Sequence, residues 1–395
     1  MISLGGGPDT APSDTSIRRR VMIVAGEASG DNYGADLVQK TLQLDSGLHF
    51  FGIGGARMRE AGVATLVDSA DMAVMGLVEV ISHFGVISAA FRKLKRILKD
   101  DPPDLLILID YPGFNLRLAS AAKKAGVKVL YYISPKVWAW KAGRVRTIAA
   151  SVDHIAVIFP FEVPLYEKAG VPVSFVGHPL LDMVDVNMNR DAAAVSFGLE
   201  PARKTVGLFP GSRRSEIERI LPTILESARC VQRQYPGAQF VLPLASTLQE
   251  CDILPLLAAS GVQATITRER IHDLIRACDA VISVSGTVTL EIALIGTPMV
   301  IIYKLAPFTY LLAKRLVKVE HIGLCNIVAG ETVVKELIQH EATPAKISSE
   351  IEKILGNVPY ANEIKQKLSA VRSQLKRGGA AANVAQLAIA LMETP

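Results

Sequence analysis

The sequence is poor in cysteine, and its four, Cys230, Cys251, Cys278 and Cys325, never approach the two-to-four residue spacing of a zinc knuckle or a redox pair. They read as reduced, mostly buried thiols. Nowhere does an uninterrupted apolar run reach about 18 residues, which excludes a simple membrane span. An excess of one charge is also missing: 43 Lys and Arg against 38 Asp and Glu leave a net charge of +5, too little for a dedicated nucleic-acid binder. No HxxxH or paired-carboxylate spacing marks a metal site, and no biased tract marks a disordered chain. A Walker motif and a complete Gly-x-Gly-x-x-Gly are both absent, so ATP hydrolysis and dinucleotide chemistry are disfavoured. No cofactor is expected.

What is present fills 395 residues, half of them apolar, enough for two to three domains. Residues 1–20, rich in Gly, Ser, Pro and Asp, read as a flexible leader rather than a signal peptide, because no apolar core follows their arginines. From residue 21 short apolar runs alternate with helical periodicity: 21–25, 105–109, 127–133, 155–159 and 173–176, then, after a polar stretch at 182–191, 206–209, 240–242, 280–284 and 299–303. Strands apolar on both faces and separated by helices predict an α/β fold of two Rossmann-like domains, 21–185 and 186–358, with helices over 359–395. Facing domains of this kind place the carboxyl ends of both sheets on one cleft.

Four glycine-bearing turns are expected at that cleft: 26–31, 52–55, 211–214 and 285–287. Gly211, Ser212 and Arg213 follow a strand and precede a helix, offering amides, a hydroxyl and a charged fork to phosphate oxygens. Ser285, Gly286 and Thr287 open a second helix, and two positive helix ends suit a diphosphate. Glu291, one turn on, has the chemistry to hold two vicinal hydroxyls, or simply to favour the helix dipole. Asp110 closes the strand 105–109 before a Pro-Gly turn, a suitable place for a general base and equally for a helix cap. Glu27 and Asp31 supply further carboxylates, with capping the strongest competitor at Asp31. His178 reads as an interdomain hydrogen-bonding residue.

The stretch 71–100 combines apolar side chains, among them Val74, Leu77, Val78, Ile81, Phe84, Ile87 and Phe91, with Arg92, Lys93, Lys95 and Arg96. That is the composition of a segment lying on anionic lipid, and also that of a core helix followed by a solvated one. A second such region spans 305–317.

Taken in order, AGEASGD (25–31), FGIGG (51–55), MGLVEV (75–80), DYPGFN (110–115), YYISPKVWAW (131–140), FPFE (159–162), GHPL (177–180), PGSR (210–213) and SGTVTLE (285–291) resemble the lipid-A-disaccharide synthase family, inverting glycosyltransferases of the GT-B fold. The resemblance implies a metal-independent condensation of UDP-2,3-diacylglucosamine with 2,3-diacylglucosamine 1-phosphate at the cytoplasmic face of a Gram-negative inner membrane. It implies Asp110 and Glu27 as catalytic groups, Glu291 on the ribose, Asn326 among the nucleotide-sugar contacts, and acceptor contacts at Ser29, Asp31, Met75, Gly76 and Asn115. It also implies C-terminal helices that pack on the N-terminal domain or are exchanged in a homodimer. Where the family shows Pro-Asn and Ala-Gly-Arg, this chain has Cys325-Asn326 and Ala329-Gly330-Glu331, so no phosphate contact is carried over at Glu331. Two other classes compete. One is a different UDP-sugar enzyme of the same architecture, such as a UDP-N-acetylglucosamine 2-epimerase or the peptidoglycan-precursor transferase; the other is a non-catalytic UDP-sugar sensor, which has no need of Asp110.

Overall fold

The computed structural model describes residues 19–72, 77–135, 137–140, 144–184, 188–305, 310, 320–375 and 378–394, with the backbone alone for 77–84, 139, 140 and 144. Residues 1–18 of the expected leader, Val74, Met75, Gly76, the side chains of Leu77, Val78, Ile81 and Phe84, and nearly all of 305–317 therefore lie outside the described residues, while Arg20, expected in the leader, opens the first strand.

The first half forms β1 (Arg20–Ala25), β2 (His49–Gly54), β3 (Ala64–Asp68), β4 (Leu105–Ile109), β5 (Lys128–Tyr132), β6 (His154–Val157) and β7 (Val173–Phe175). They pair in the order β3-β2-β1-β4-β5-β6-β7, parallel throughout. The second half forms β8 (Thr205–Phe209), β9 (Gln239–Pro243), β10 (Thr265–Thr267), β11 (Ala280–Val284), β12 (Met299–Tyr303) and β13 (Glu336–Ile338), in the order β10-β9-β8-β11-β12-β13, again parallel. Central strands β4, β8 and β11 are buried along their whole length, as helices on both faces require.

Each sheet reverses its winding once, between β1 and β4 and between β8 and β11. Such switch points splay the following helices apart and open a crevice at the strands' carboxyl ends. The turns after β1, β4, β8 and β11 are those carrying Glu27, Asp110, Ser212 and Ser285. The turn expected at 52–55 is different: Gly52–Gly54 lie inside β2, where a Cβ at Gly52 would sit 2.0 Å from the Ile23 carbonyl oxygen. That glycine serves close strand packing, not a ligand.

Two helices, Val358–Leu375 and Ala380–Glu393, close the chain. The first packs on the helices Thr287–Ile295 and Leu324–Ala329; the second crosses back to cover the helix Ala28–Leu44 and strands β4 and β5. The crossing is pinned where the halves meet: the Asp182 carboxylate accepts from the amides of Gly379 (3.3 Å) and Ala380 (3.0 Å), and Asn383 donates to the Val176 carbonyl (2.9 Å). His178, buried here, accepts from the Leu180 amide through Nδ1 (3.2 Å), a bond within its own turn, while its backbone amide donates to the Leu375 carbonyl (3.4 Å).

Candidate active site

A cavity of about 690 Å3 opens at the β8/β11 switch point, walled by Gly211, Ser212, Arg213, Ser285, Gly286 and Thr287 together with Glu216, Arg268 and Tyr303. The two helix-opening loops converge on it as expected, but they are not equivalent. Between β8 and the helix Arg214–Gln234, the Glu216 carboxylate already accepts from the amides of Ser212 (3.0 Å) and Arg213 (3.3 Å) and lies 3.6 Å from the Arg213 guanidinium. A Cβ at Gly211, whose φ is +109°, would fall 2.3 Å from that carboxylate. The amides expected to cradle phosphate thus hold an internal anion, and Gly211 makes room for it. What this loop leaves for a ligand is the exposed Arg213 guanidinium and the Ser212 hydroxyl.

The other loop is open. Helix Thr287–Ile295 begins directly after β11, and the amides of Gly286, Thr287 and Val288 precede its first intrahelical bonds. A Cβ at Gly286 would meet no protein atom within 4 Å, so the space in front of it belongs to the cavity. Ser285 is anchored by its hydroxyl to the Ile322 carbonyl (2.9 Å). One turn on, Glu291 is mostly buried, with His272 Nε2 at 3.4 Å from its carboxylate, a neighbour that no sequence spacing signalled.

Across the cleft, β4 ends in strained backbone. Asp110 (φ +45°) and Tyr111 (φ +47°) are consecutive left-handed residues that are not glycine, and Ile133, just past β5, is a third (φ +61°). Each such residue costs about 1–3 kcal/mol and persists only where its surroundings hold it. Here the Asp110 carbonyl accepts from Asn115 Nδ2 (2.7 Å) and the Tyr131 hydroxyl (2.6 Å), while its amide donates to the Tyr132 carbonyl (3.1 Å). The Asp110 backbone is thereby held at the carboxyl edge of the sheet. Glu27 stands at the N-cap of Ala28–Leu44 without making a capping bond, exposed, as is Ser29. Tyr33, on the same helix, is mostly buried: burial, and after it the charges of Glu291, Asp110 and Asp36, push its phenol up to about 12.

Three of the expected contact residues are engaged within the protein, Asp31 in the capping role that competed for it. Asp31 is buried and accepts from the amides of Gly55 (2.6 Å), Arg57 (3.1 Å) and Met58 (3.1 Å), capping the helix Ala56–Glu60. Asn115 is wholly buried beneath Asp110, its Nδ2 bonding the carbonyls of Ile109 and Asp110. Asn326 is wholly buried as well: it donates to the Val334 carbonyl (2.9 Å) and Glu336 (2.8 Å) and accepts from the amides of Val333 (2.9 Å) and Val334 (3.0 Å). All its hydrogen-bonding capacity is filled by the protein, so none remains for a nucleotide.

The long helix Leu77–Asp100 starts beside this edge, where the Tyr111 hydroxyl donates to the Met72 carbonyl (3.1 Å). Ile87 and Phe91, expected at a lipid contact, pack inward on the core, Phe91 edge-to-face with Phe114 at 5.7 Å. Arg92, Lys93, Lys95 and Arg96 are exposed, with Lys93 bonded to the Leu66 carbonyl (3.1 Å). Among the described residues no helix is long and apolar enough to cross a membrane.

A lipid-A-disaccharide synthetase family profile matches residues 21–390. The lipid-A-disaccharide synthase of Trichlorobacter lovleyi is 67% identical over 375 residues, covering 95% of this chain and 98% of its own length; that of Geobacter sulfurreducens is 60% identical, covering 94% and 97%. Among solved structures, a UDP-GlcNAc 2-epimerase from Neisseria meningitidis bound to UDP-GlcNAc superposes with a TM-score of 0.65 at 15% identity, covering 94% of this chain and all of that one. The calicheamicin glycosyltransferase does so with a TM-score of 0.60 at 13% identity, covering 96% and 100%. At such identities these two likenesses concern the fold alone.

Proposed function

Because this chain belongs to the lipid-A-disaccharide synthetase family, a group of GT-B-type glycosyltransferases, we propose that it condenses UDP-2,3-diacylglucosamine with 2,3-diacylglucosamine 1-phosphate. The products are the β-1,6-linked disaccharide 1-phosphate and UDP. The acceptor's 6-hydroxyl oxygen attacks the anomeric carbon from the face opposite UDP. The carbon–oxygen bond to the β-phosphate breaks, its electron pair leaves with UDP, and the hydroxyl proton passes to Asp110. The observation that supports this assignment is the place of Asp110, its backbone held in strained geometry at the end of β4, at the switch point of the first sheet.

Charge on departing UDP is met by the open amides at Gly286–Val288 and by the Arg213 side chain, in a scheme that needs no metal. Glu291, steadied by His272, holds the ribose hydroxyls. Glu27 and Ser29 receive the acceptor. Sheet-by-sheet this corresponds to an acceptor domain over 21–185 and a nucleotide-sugar domain over 186–358. The acyl chains of both substrates favour work at a membrane surface, in our reading the cytoplasmic face of the inner membrane, with contact from the start of Leu77–Asp100.

The test is to incubate the purified chain in detergent micelles with EDTA, the UDP-sugar and radiolabelled acceptor, and to look for the disaccharide by chromatography. Product is expected despite the chelator. A protein that binds UDP yet makes no disaccharide, with or without magnesium, points to another UDP-sugar reaction.

A further inference from the structure

A second cavity, of about 520 Å3, lies between the helices Leu77–Asp100 and Pro112–Lys124, lined by the cations Arg92, Lys95, Arg96, Lys99 and Lys124 over a floor that includes Ala121. One carboxylate, Asp100, stands against the five. Among the described residues the neighbouring ion pairs go elsewhere, Arg20 to Asp101 and Lys123 to Asp153, and none reaches these cations. Five unneutralised charges around one groove repel each other in the folded chain, a cost that an anionic partner reverses.

The groove is far from the reaction. It lies where the long helix ends before β4 and where Pro112–Lys124 ends before β5, at the sheet edge opposite Asp110. At 1.5 Å per residue, Lys99 is about 33 Å along the helix from Leu77. Yet both ends share one surface: Gly85, Ala89, Arg92, Arg96 and Lys99 recur at i, i+4, i+7, i+11 and i+14, and all are exposed, with exposed Val86 on the shoulder. The stripe is small and apolar toward the reaction edge and basic away from it. Nucleic acid gains nothing from the apolar part, whereas a lipid surface uses both.

We propose that this groove is a docking site for anionic phospholipid head groups, which lays the long helix flat along the bilayer with the reaction edge at one end and the groove at the other. The proposal rests on the membrane reading given above and adds to it a second anchor remote from the substrates.

The test compares the full chain with a K99E/K124E variant by flotation with vesicles of phosphatidylcholine alone and of phosphatidylcholine with phosphatidylglycerol. Turnover in detergent micelles reports that the variant is folded, and K99Q/K124Q is the milder replacement if it is not. The expected result is a drop of about tenfold or more in binding to the anionic vesicles only, with a wild-type preference for them that fades with added salt and micellar turnover unchanged. A variant that keeps the wild-type preference overturns the proposal, as does a loss of oligonucleotide binding with vesicle binding intact. Wild-type protein that binds both vesicles equally overturns the groove but leaves the membrane reading standing. Binding to neither removes both.

Discussion

Gly286 and Gly211 wall the same cavity for different reasons, and substitution separates them. Gly286→Ala adds a methyl group to open cavity space at extended backbone, so the unfolding midpoint should hold while the KM for the UDP-sugar rises roughly tenfold. A fall in the unfolding midpoint with KM unchanged would place protein, not ligand, in front of Gly286. Asn326→Leu is the opposite case: it strands two buried amides, a carbonyl and Glu336, and should cost about 2–4 kcal/mol in urea unfolding with little change in UDP affinity of the folded fraction. His154 gives a pH signature. Burial depresses its pKa, and Nε2 sits 3.0 Å from the Ser174 hydroxyl. The unfolded chain therefore takes up the proton first, so stability present above about pH 6.5 is lost as the pH falls from there toward the folded value. A His154→Gln variant should lose less stability than wild type between about pH 7.5 and 5.5 in unfolding titrations. The chemistry of single residues was only half legible in the sequence. The place of Asp110 could be read because a strand and a Pro-Gly turn fix it, and capping was already the competing reading at Asp31; the partners of Asp31 and Asn326 could not be read, because they are mostly backbone groups brought in by the fold. Glu216 lay one helical turn from a recognised loop and is invisible as an anion until the amides it binds are seen.

At the scale of elements, pattern alone located the strands buried on both faces, such as β4, β8 and β11, and also the short edge strand β7, whose run 173–176 is apolar apart from Ser174. The edge strands β3, β10 and β13 escaped because they are short and partly exposed, and Thr265–Thr267 has no apolar run to find. β2 was hidden by its glycines. The two C-terminal helices follow from composition, but not where they land. Ala380–Glu393 buries Val384, Ala385 and Ala388 completely, and Lys128 donates to the Leu391 carbonyl (3.0 Å). Ending the chain after residue 378 should cost of order 4 kcal/mol from those side chains alone and raise binding of a hydrophobic dye. An unchanged melting curve would mean that the helix only rests on its neighbours.

For the whole molecule, two switch points facing one cleft divide the labour, so the halves should fail independently. Asp110→Asn is expected to lower kcat by about a hundredfold or more with UDP affinity intact, whereas Glu291→Gln should weaken UDP binding first. Calorimetric titration of UDP into each variant checks this, and a loss of UDP affinity on changing Asp110 would contradict the division. The helix Ala28–Leu44 is covered by Ala380–Glu393, so its outer face has no cover of its own until nearly the whole chain exists. At about 5–20 residues per second, the roughly 340 residues between the two helices occupy the ribosome for of order 20–70 s. Throughout that interval the nascent first half presents an apolar surface that only its own far end can close, which makes it a client for whatever shields emerging chains.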